Sequence, residues 1–168
     1  MLIEHLSVPQ VWRATLHGVA GPSIYEFAGR EPAFLALATA HHARCLDDPE
    51  LNHPFSHPGK PDHIERLASY WAEVFGGPAR YSEEYGSHSG MLEMHARTGA
   101  GDDFGPRFLS CFMQAADDVH LPEDATFRAA LRAYMTWATE HVMSYAPHDS
   151  RVPEGLSVPR WGWSGLEG

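Results

Sequence analysis

No apolar run in this chain reaches the roughly 20 residues that a helix needs to cross a bilayer, so no membrane partner is expected. Basic residues are scarce. Twelve Lys and Arg stand against 22 Asp and Glu, for a formal net charge of −10. That balance argues against nucleic acid or an anionic membrane surface, since both reward clustered Lys and Arg. There are only two cysteines, Cys45 and Cys111, far apart on different expected helices. They read as buried free thiols, not as a disulfide framework. The N-terminus, Met1-Leu2-Ile3-Glu4-His5, has no basic segment followed by an apolar stretch, so a cytoplasmic location is expected. A Gly-rich phosphate loop after a strand, a Gly-x-Ser-x-Gly elbow and a Cys-x-x-Cys pair are all missing.

What remains is a chain of 168 residues, 43% hydrophobic, with twelve histidines. The length suits one domain with a real core. Neutral imidazole is a common metal ligand, so the histidine excess raises the expectation of a metal or haem site without locating it.

The pattern is helical throughout, with no convincing strand. Residues 1–22 end in the breaker Gly21-Pro22 and read as an N-terminal extension; 23–147 read as the domain, and 148–168 as an extended C-terminal tail. Ser23 can cap a short helix to Ala28, with Glu26 completing a capping box. Glu31-Pro32 opens a longer helix that stops near Asp47-Asp48-Pro49. A Pro- and His-rich connector covers 49–60. A third helix spans about Pro61 to Phe75, where Ile64, Leu67, Ala68, Trp71, Val74 and Phe75 share one face. Gly76-Gly77-Pro78 ends it, and a loop through Tyr81 and Tyr85 follows. A short helix over 87–96 carries His95, a Gly-broken loop follows, and an apolar helix starts near Phe104. Asp124 caps the last long helix, which Pro147 closes. Trp161 and Trp163 are costly to leave wet, so the tail is expected to pack on a helix face or cross to a second subunit as a homodimer. On periodicity alone, a helical bundle with no cofactor fits as well.

From about Ser23 to Tyr145, the order of an amphipathic helix stopped by Phe75-Gly76-Gly77-Pro78, the loop Tyr81-Ser82-Glu83-Glu84-Tyr85-Gly86, Met91-Leu92-Glu93-Met94-His95 and the apolar helix at Phe104 resembles a group II truncated haemoglobin. The resemblance implies an all-α truncated-globin fold, two helices over two around a haem b. It makes His95 the proximal ligand of the iron. The slot would be lined by Phe55, Leu67, Leu92, Phe108 and Met135, and Arg66 and Tyr81 would meet the propionates. A haem needs each of these parts: an axial base, an apolar slot and cationic or hydroxyl partners at its edge. The basic residue that often precedes the proximal histidine in the family is Met94 here.

The distal side departs from the family. The tryptophan usual thirteen residues beyond the proximal histidine is Phe108, which has no donor. The usual distal tyrosine is replaced by His42 in His41-His42-Ala43-Arg44, and the distal-helix position that is often small is His63. Two imidazoles are therefore expected to face the sixth coordination site.

Three function classes stay open. One is a haem protein that binds oxygen, nitric oxide or another small ligand, with an unidentified redox partner and with peroxide or sulfide chemistry within its reach. A second is a non-haem metal protein built on His41, His42, His53, His57 and His63; Pro54 and Pro58 argue against a regular helix through that cluster. The third is a globin-like domain that has lost haem.

Overall fold

The computed structural model describes residues 21–53 and 59–168. Most of the expected N-terminal extension, together with Phe55 and His57, lies outside the described residues. Six α-helices follow in chain order among those described: α1 Ile24–Ala28, α2 Arg30–Asp47, α3 His63–Val74, α4 His88–His95, α5 Phe104–Asp118 and α6 Ala125–Met143. α2 packs on α3 and on α5, and α5 packs on α6, which gives an all-α sandwich of two helices over two.

Local chemistry explains where the helices begin and end. Ser23 and Glu26 form a reciprocal capping box: Oγ of Ser23 accepts from the Glu26 amide at 3.2 Å, and the Glu26 carboxylate accepts from the Ser23 amide at 3.0 Å. Both amides would otherwise be unsatisfied at the helix start. Asp124 caps α6 through the Phe127 amide at 2.9 Å. Gly76 adopts φ +96°, and a Cβ there would lie 2.9 Å from that of Ser23. A Cβ on Gly77 would meet the Ala72 carbonyl oxygen at 2.7 Å and the Tyr25 ring at 2.9 Å. The Gly-Gly pair thus stops α3 and also lets α1 lie against it, where the Tyr25 amide donates to the Phe75 carbonyl at 2.9 Å.

The core runs between the two layers. Phe34, Leu37, Val74, Phe75, Phe112, Phe127, Leu131 and Tyr134 are all essentially fully buried. Phe75 meets Tyr134 edge-on at 4.8 Å, and Trp71 meets Phe112 at 5.0 Å. Cys45 and Cys111 are free and buried, as expected, in a small cluster with Leu51.

Two segments differ from the sequence expectation. The loop after α3 contains a π-helical turn, Tyr81–Tyr85, closed by the Gly86 amide on the Tyr81 carbonyl at 3.0 Å. α3 anchors it at both ends. The buried Glu73 carboxylate accepts from the Ser82 amide at 3.0 Å and from the Ser82 hydroxyl, and the Arg66 guanidinium donates to the Tyr85 carbonyl at 2.6 Å.

The tail is the second. It ends in a two-stranded antiparallel hairpin, β1 Arg160–Gly162 and β2 Gly165–Glu167. Strands this short carry no readable alternation. The tail does pack back. Trp161 is buried against Tyr134 and Trp137, each ring centroid 5.7 Å away. The Trp163 indole N–H donates to the Pro22 carbonyl at 2.9 Å while its ring meets Phe27 edge-on.

Because Trp161 fills the space beside α6, Trp161→Ala should destabilise the protein by about 3–5 kcal/mol, the range for deleting a buried indole. Urea unfolding measures this directly. An unchanged midpoint would mean that the tail contributes nothing to the core.

Candidate functional site

A cavity of about 560 Å³ opens between α3, α4, α5 and α6. That volume falls within the roughly 300–1,000 Å³ of small-molecule and cofactor pockets. Its walls are mainly apolar and aromatic, and include Leu67, Trp71, Phe108, Tyr134, Met135 and Trp137.

His95 stands at the cavity from the last turn of α4. Its Nδ1–H donates to the Met91 carbonyl, one turn back, at 2.7 Å. That bond sets the tautomer, so the lone pair lies on Nε2. α4 is held at both ends. Ser87 caps it through the Gly90 amide at 3.0 Å. The Ser89 hydroxyl donates to the Pro153 carbonyl at 2.7 Å and accepts from the Leu156 amide at 2.9 Å. Past the helix, the Arg97 and Gly99 amides donate to the Tyr145 and Ala146 carbonyls at 2.8 and 3.0 Å.

His42 on α2 and His63 at the start of α3 also line the cavity and face each other with ring centroids 5.4 Å apart. Burial, then the neighbouring His42, His95 and Arg66, lower the His63 pKa below its ordinary value. The ring is therefore mostly neutral near pH 7, with one donor and one acceptor.

Arg66 and Tyr81 both line the cavity on either side of Gly86. A Cβ on Gly86 would lie 3.5 Å from the Tyr81 hydroxyl and 3.8 Å from the Arg66 guanidinium. Both residues line the cavity, and Tyr81 itself is buried. Burial raises the Tyr81 pKa, partly offset by Arg66, so the phenol stays protonated and able to donate. A guanidinium beside a phenol is a good anion partner.

Of the five residues expected to line a slot, Leu67, Phe108 and Met135 do so. Leu92 is fully buried but does not line the cavity; Met91 and Met94 do, Met94 from an exposed position. Of the alternative metal cluster, His57 lies outside the described residues, and His42 and His63 face each other. His41 is buried against Trp71, Phe108 and Phe112, with Nε2 3.4 Å from the Cys45 sulfur. His53 is exposed. Among the described residues, no three His, Cys, Asp or Glu side chains are arranged to hold a metal ion.

Four cavity residues had no role in the sequence reading. The Tyr70 hydroxyl lies 2.8 Å from Nδ1 of His88, and the His88 ring stacks parallel to His141 at 5.6 Å. His141 in turn stacks on Trp137 at 5.1 Å. The spacing of Trp137 and His141, four apart on one helix, was the only available signal.

Comparisons with known proteins show the family and the fold. The family model described as bacterial-like globin matches residues 23–143. No functionally curated protein matches by sequence. Among solved structures, a haemoglobin from the thermophilic phototrophic bacterium Chloroflexus aurantiacus is 29% identical. It covers 72% of this chain and 97% of its own, with a TM-score of 0.63. The group II truncated haemoglobin of Bacillus anthracis is 21% identical, covering 74% of this chain and 92% of its own, with a TM-score of 0.64. A truncated oxygen-avid haemoglobin from Bacillus subtilis is 23% identical, covering 72% and 98%, with a TM-score of 0.61. The last two show the fold alone. Among the described residues, no helix is long and apolar enough to cross a membrane.

His41 yields a pH test. Burial lowers its pKa to about 3, and among the described residues its Nδ1 has no hydrogen-bond partner. An unfolded histidine titrates near 6.5. Between about pH 6.5 and 3 the unfolded chain therefore binds a proton that the folded chain refuses, and stability is lost as pH falls through that window. His41→Phe should keep stability at pH 7 within about 1 kcal/mol, since an apolar ring replaces one whose Nδ1 is unsatisfied and whose Nε2 meets a thiol. It should also flatten the decline toward about pH 4.5. Unfolding midpoints at the two pH values check this; an equal decline in both proteins contradicts it.

Proposed function

This chain belongs to the bacterial-like globin family, and we propose that it holds a haem b in the cavity between α3 and α6, with His95 as the axial ligand of the iron and oxygen as the foremost small ligand. Family membership implies a haem-type cofactor with iron and a small gaseous ligand. The observation that carries the finer reading is the His95–Met91 hydrogen bond, which leaves Nε2 of a cavity-lining imidazole as its basic nitrogen.

The remaining residues fit the group. A haem is mostly hydrocarbon, and Leu67, Trp71, Phe108 and Met135 offer it an apolar slot. Its propionates are anions, and Arg66 and Tyr81, both near Gly86 in the cavity wall, are available to them. Bound haem supplies an iron centre for reversible ligand binding or electron exchange. The chain orients it, excludes water and positions donors. On the ligand side, Phe108 contributes no hydrogen bond. Imidazole N–H groups take that role, with His63 ahead of His42 because it stands one turn before Leu67 on α3. The oxygen reading is supported by the family, whose members bind small gaseous ligands.

His95→Gly should lose most of its haem on gel filtration and recover it, with the wild-type ferrous spectrum, when imidazole is added. Full haem retention without imidazole would sink the assignment. His63→Leu should speed oxygen dissociation about fivefold, the equivalent of one hydrogen bond of about 1 kcal/mol. If His63 is instead a sixth ligand of the iron, the same substitution converts a low-spin ferric spectrum to high-spin. An unchanged off-rate and spin state would show that His63 does not act on the ligand side.

A further inference from the structure

We propose that Tyr70 is a redox-active side chain of this protein, giving an electron to the haem after a hydroperoxide has oxidised it, with its proton passing to Nδ1 of His88. The inference rests on the haem reading above and extends it to a part of the cavity with no role in ligand binding.

The geometry is that of a phenol paired with its own base. Tyr70 and His88 both line the haem cavity, and both are buried. The phenol oxygen and the imidazole nitrogen are 2.8 Å apart, within the normal range for an O–H donor. Burial, then the neighbouring Tyr134 and Tyr81, keep Tyr70 protonated, its pKa well above 10. Burial, then His141, lower the His88 pKa to about 4, so the imidazole is neutral. With its own proton on Nε2, His88 accepts from the phenol O–H through Nδ1.

A phenol that loses an electron becomes a strong acid, so its oxidation is easy only where a base already holds the O–H. A base placed at hydrogen-bond distance meets that need without any movement of the side chains. Among the described residues, Tyr70 is the tyrosine whose hydroxyl meets an imidazole. Tyr81 has the Arg66 guanidinium beside it, which cannot take a proton. Tyr134 is wrapped in the Phe75, Trp137 and Trp161 rings. The His88 ring continues into the stacked column of His141 and Trp137. That packing holds the base in place and leaves it off the iron-ligand side occupied by His42 and His63.

The electrons balance. A bound haem would supply the hydroperoxide with the two electrons that break its O–O bond and reduce it to the oxidation level of water. Tyr70 returns one of those electrons. Its O–H bond breaks, the proton forms a new N–H bond on His88, and a neutral phenoxyl radical remains on the ring.

The test is electron paramagnetic resonance on the purified holoprotein, frozen seconds after mixing with hydrogen peroxide. Growth on ring-deuterated tyrosine marks a tyrosyl signal by collapse of its hyperfine splitting. The wild type should show that signal, and Tyr70→Phe should reduce its yield at least fivefold. That variant keeps the ring that meets Tyr81 edge-on at 5.0 Å, so its fold and its Soret band should persist. His88→Leu keeps the phenol but removes the base, and should lower the yield in the same way. A wild-type Soret band without a tyrosyl signal overturns this inference and leaves the haem reading intact. So does a signal unchanged in Tyr70→Phe, or one removed by Tyr81→Phe or Tyr134→Phe instead. An undiminished yield in His88→Leu overturns the role of the base. Protein with no Soret band overturns the haem reading, and this inference with it.

Discussion

The site depends on how α4 is held. A helix of eight residues, His88–His95, is shorter than the roughly 12–15 that make an isolated helix even marginally stable in water. Its position comes from outside. Leu92 is fully buried beneath it, Ser89 ties its first turn to the tail at Pro153 and Leu156, and the chain just past it is bonded to the end of α6. The Arg97 guanidinium adds a bond to the Ser150 carbonyl at 3.1 Å. The orientation of His95 is therefore inherited from the C-terminal segment, and Trp161, packed on Tyr134 and Trp137, fixes that segment to the body. Tail, last helix and candidate iron ligand form one mechanical unit.

The electrostatics of the cavity follow a simple division. Burial lowers the pKa values of His63, His88 and His141, so these three imidazoles are mostly neutral near pH 7. Arg66 stands at the edge, half-buried and bonded to the Tyr85 carbonyl. A charged rim and a neutral interior suit a cofactor with an apolar ring and anionic substituents. His88 is among the neutral groups, so its Nδ1 lone pair is free to accept the Tyr70 hydroxyl at 2.8 Å.

Much of the fold was legible because it rests on local chemistry. The Ser23 capping box, the Asp124 cap and the Gly76-Gly77 stop are each written within four or five residues, and the 3.6-residue period of α3 needs no tertiary information. His95, Arg66 and Tyr81 were reached through a family pattern, and the structure brings all three to one cavity. The π turn was hidden because it depends on a Glu73 carboxylate reaching Ser82, nine residues on, in a burial that no local pattern announces. Tyr70, His88 and His141 were hidden for the same reason. They come from α3, α4 and α6, and only the packed fold sets them side by side. The hairpin at residues 160–167 is too short for a period of two to show.

The account stands most directly on where a haem lies and what holds its iron. A crystal structure of the haem-loaded protein decides this. The account predicts iron bonded to Nε2 of His95, with Nδ1 still donating to the Met91 carbonyl, the propionates on Arg66 and Tyr81, and His63 on the opposite face of the ring. Iron held by His88 or His141, or a haem seated outside the cavity between α3 and α6, would contradict it.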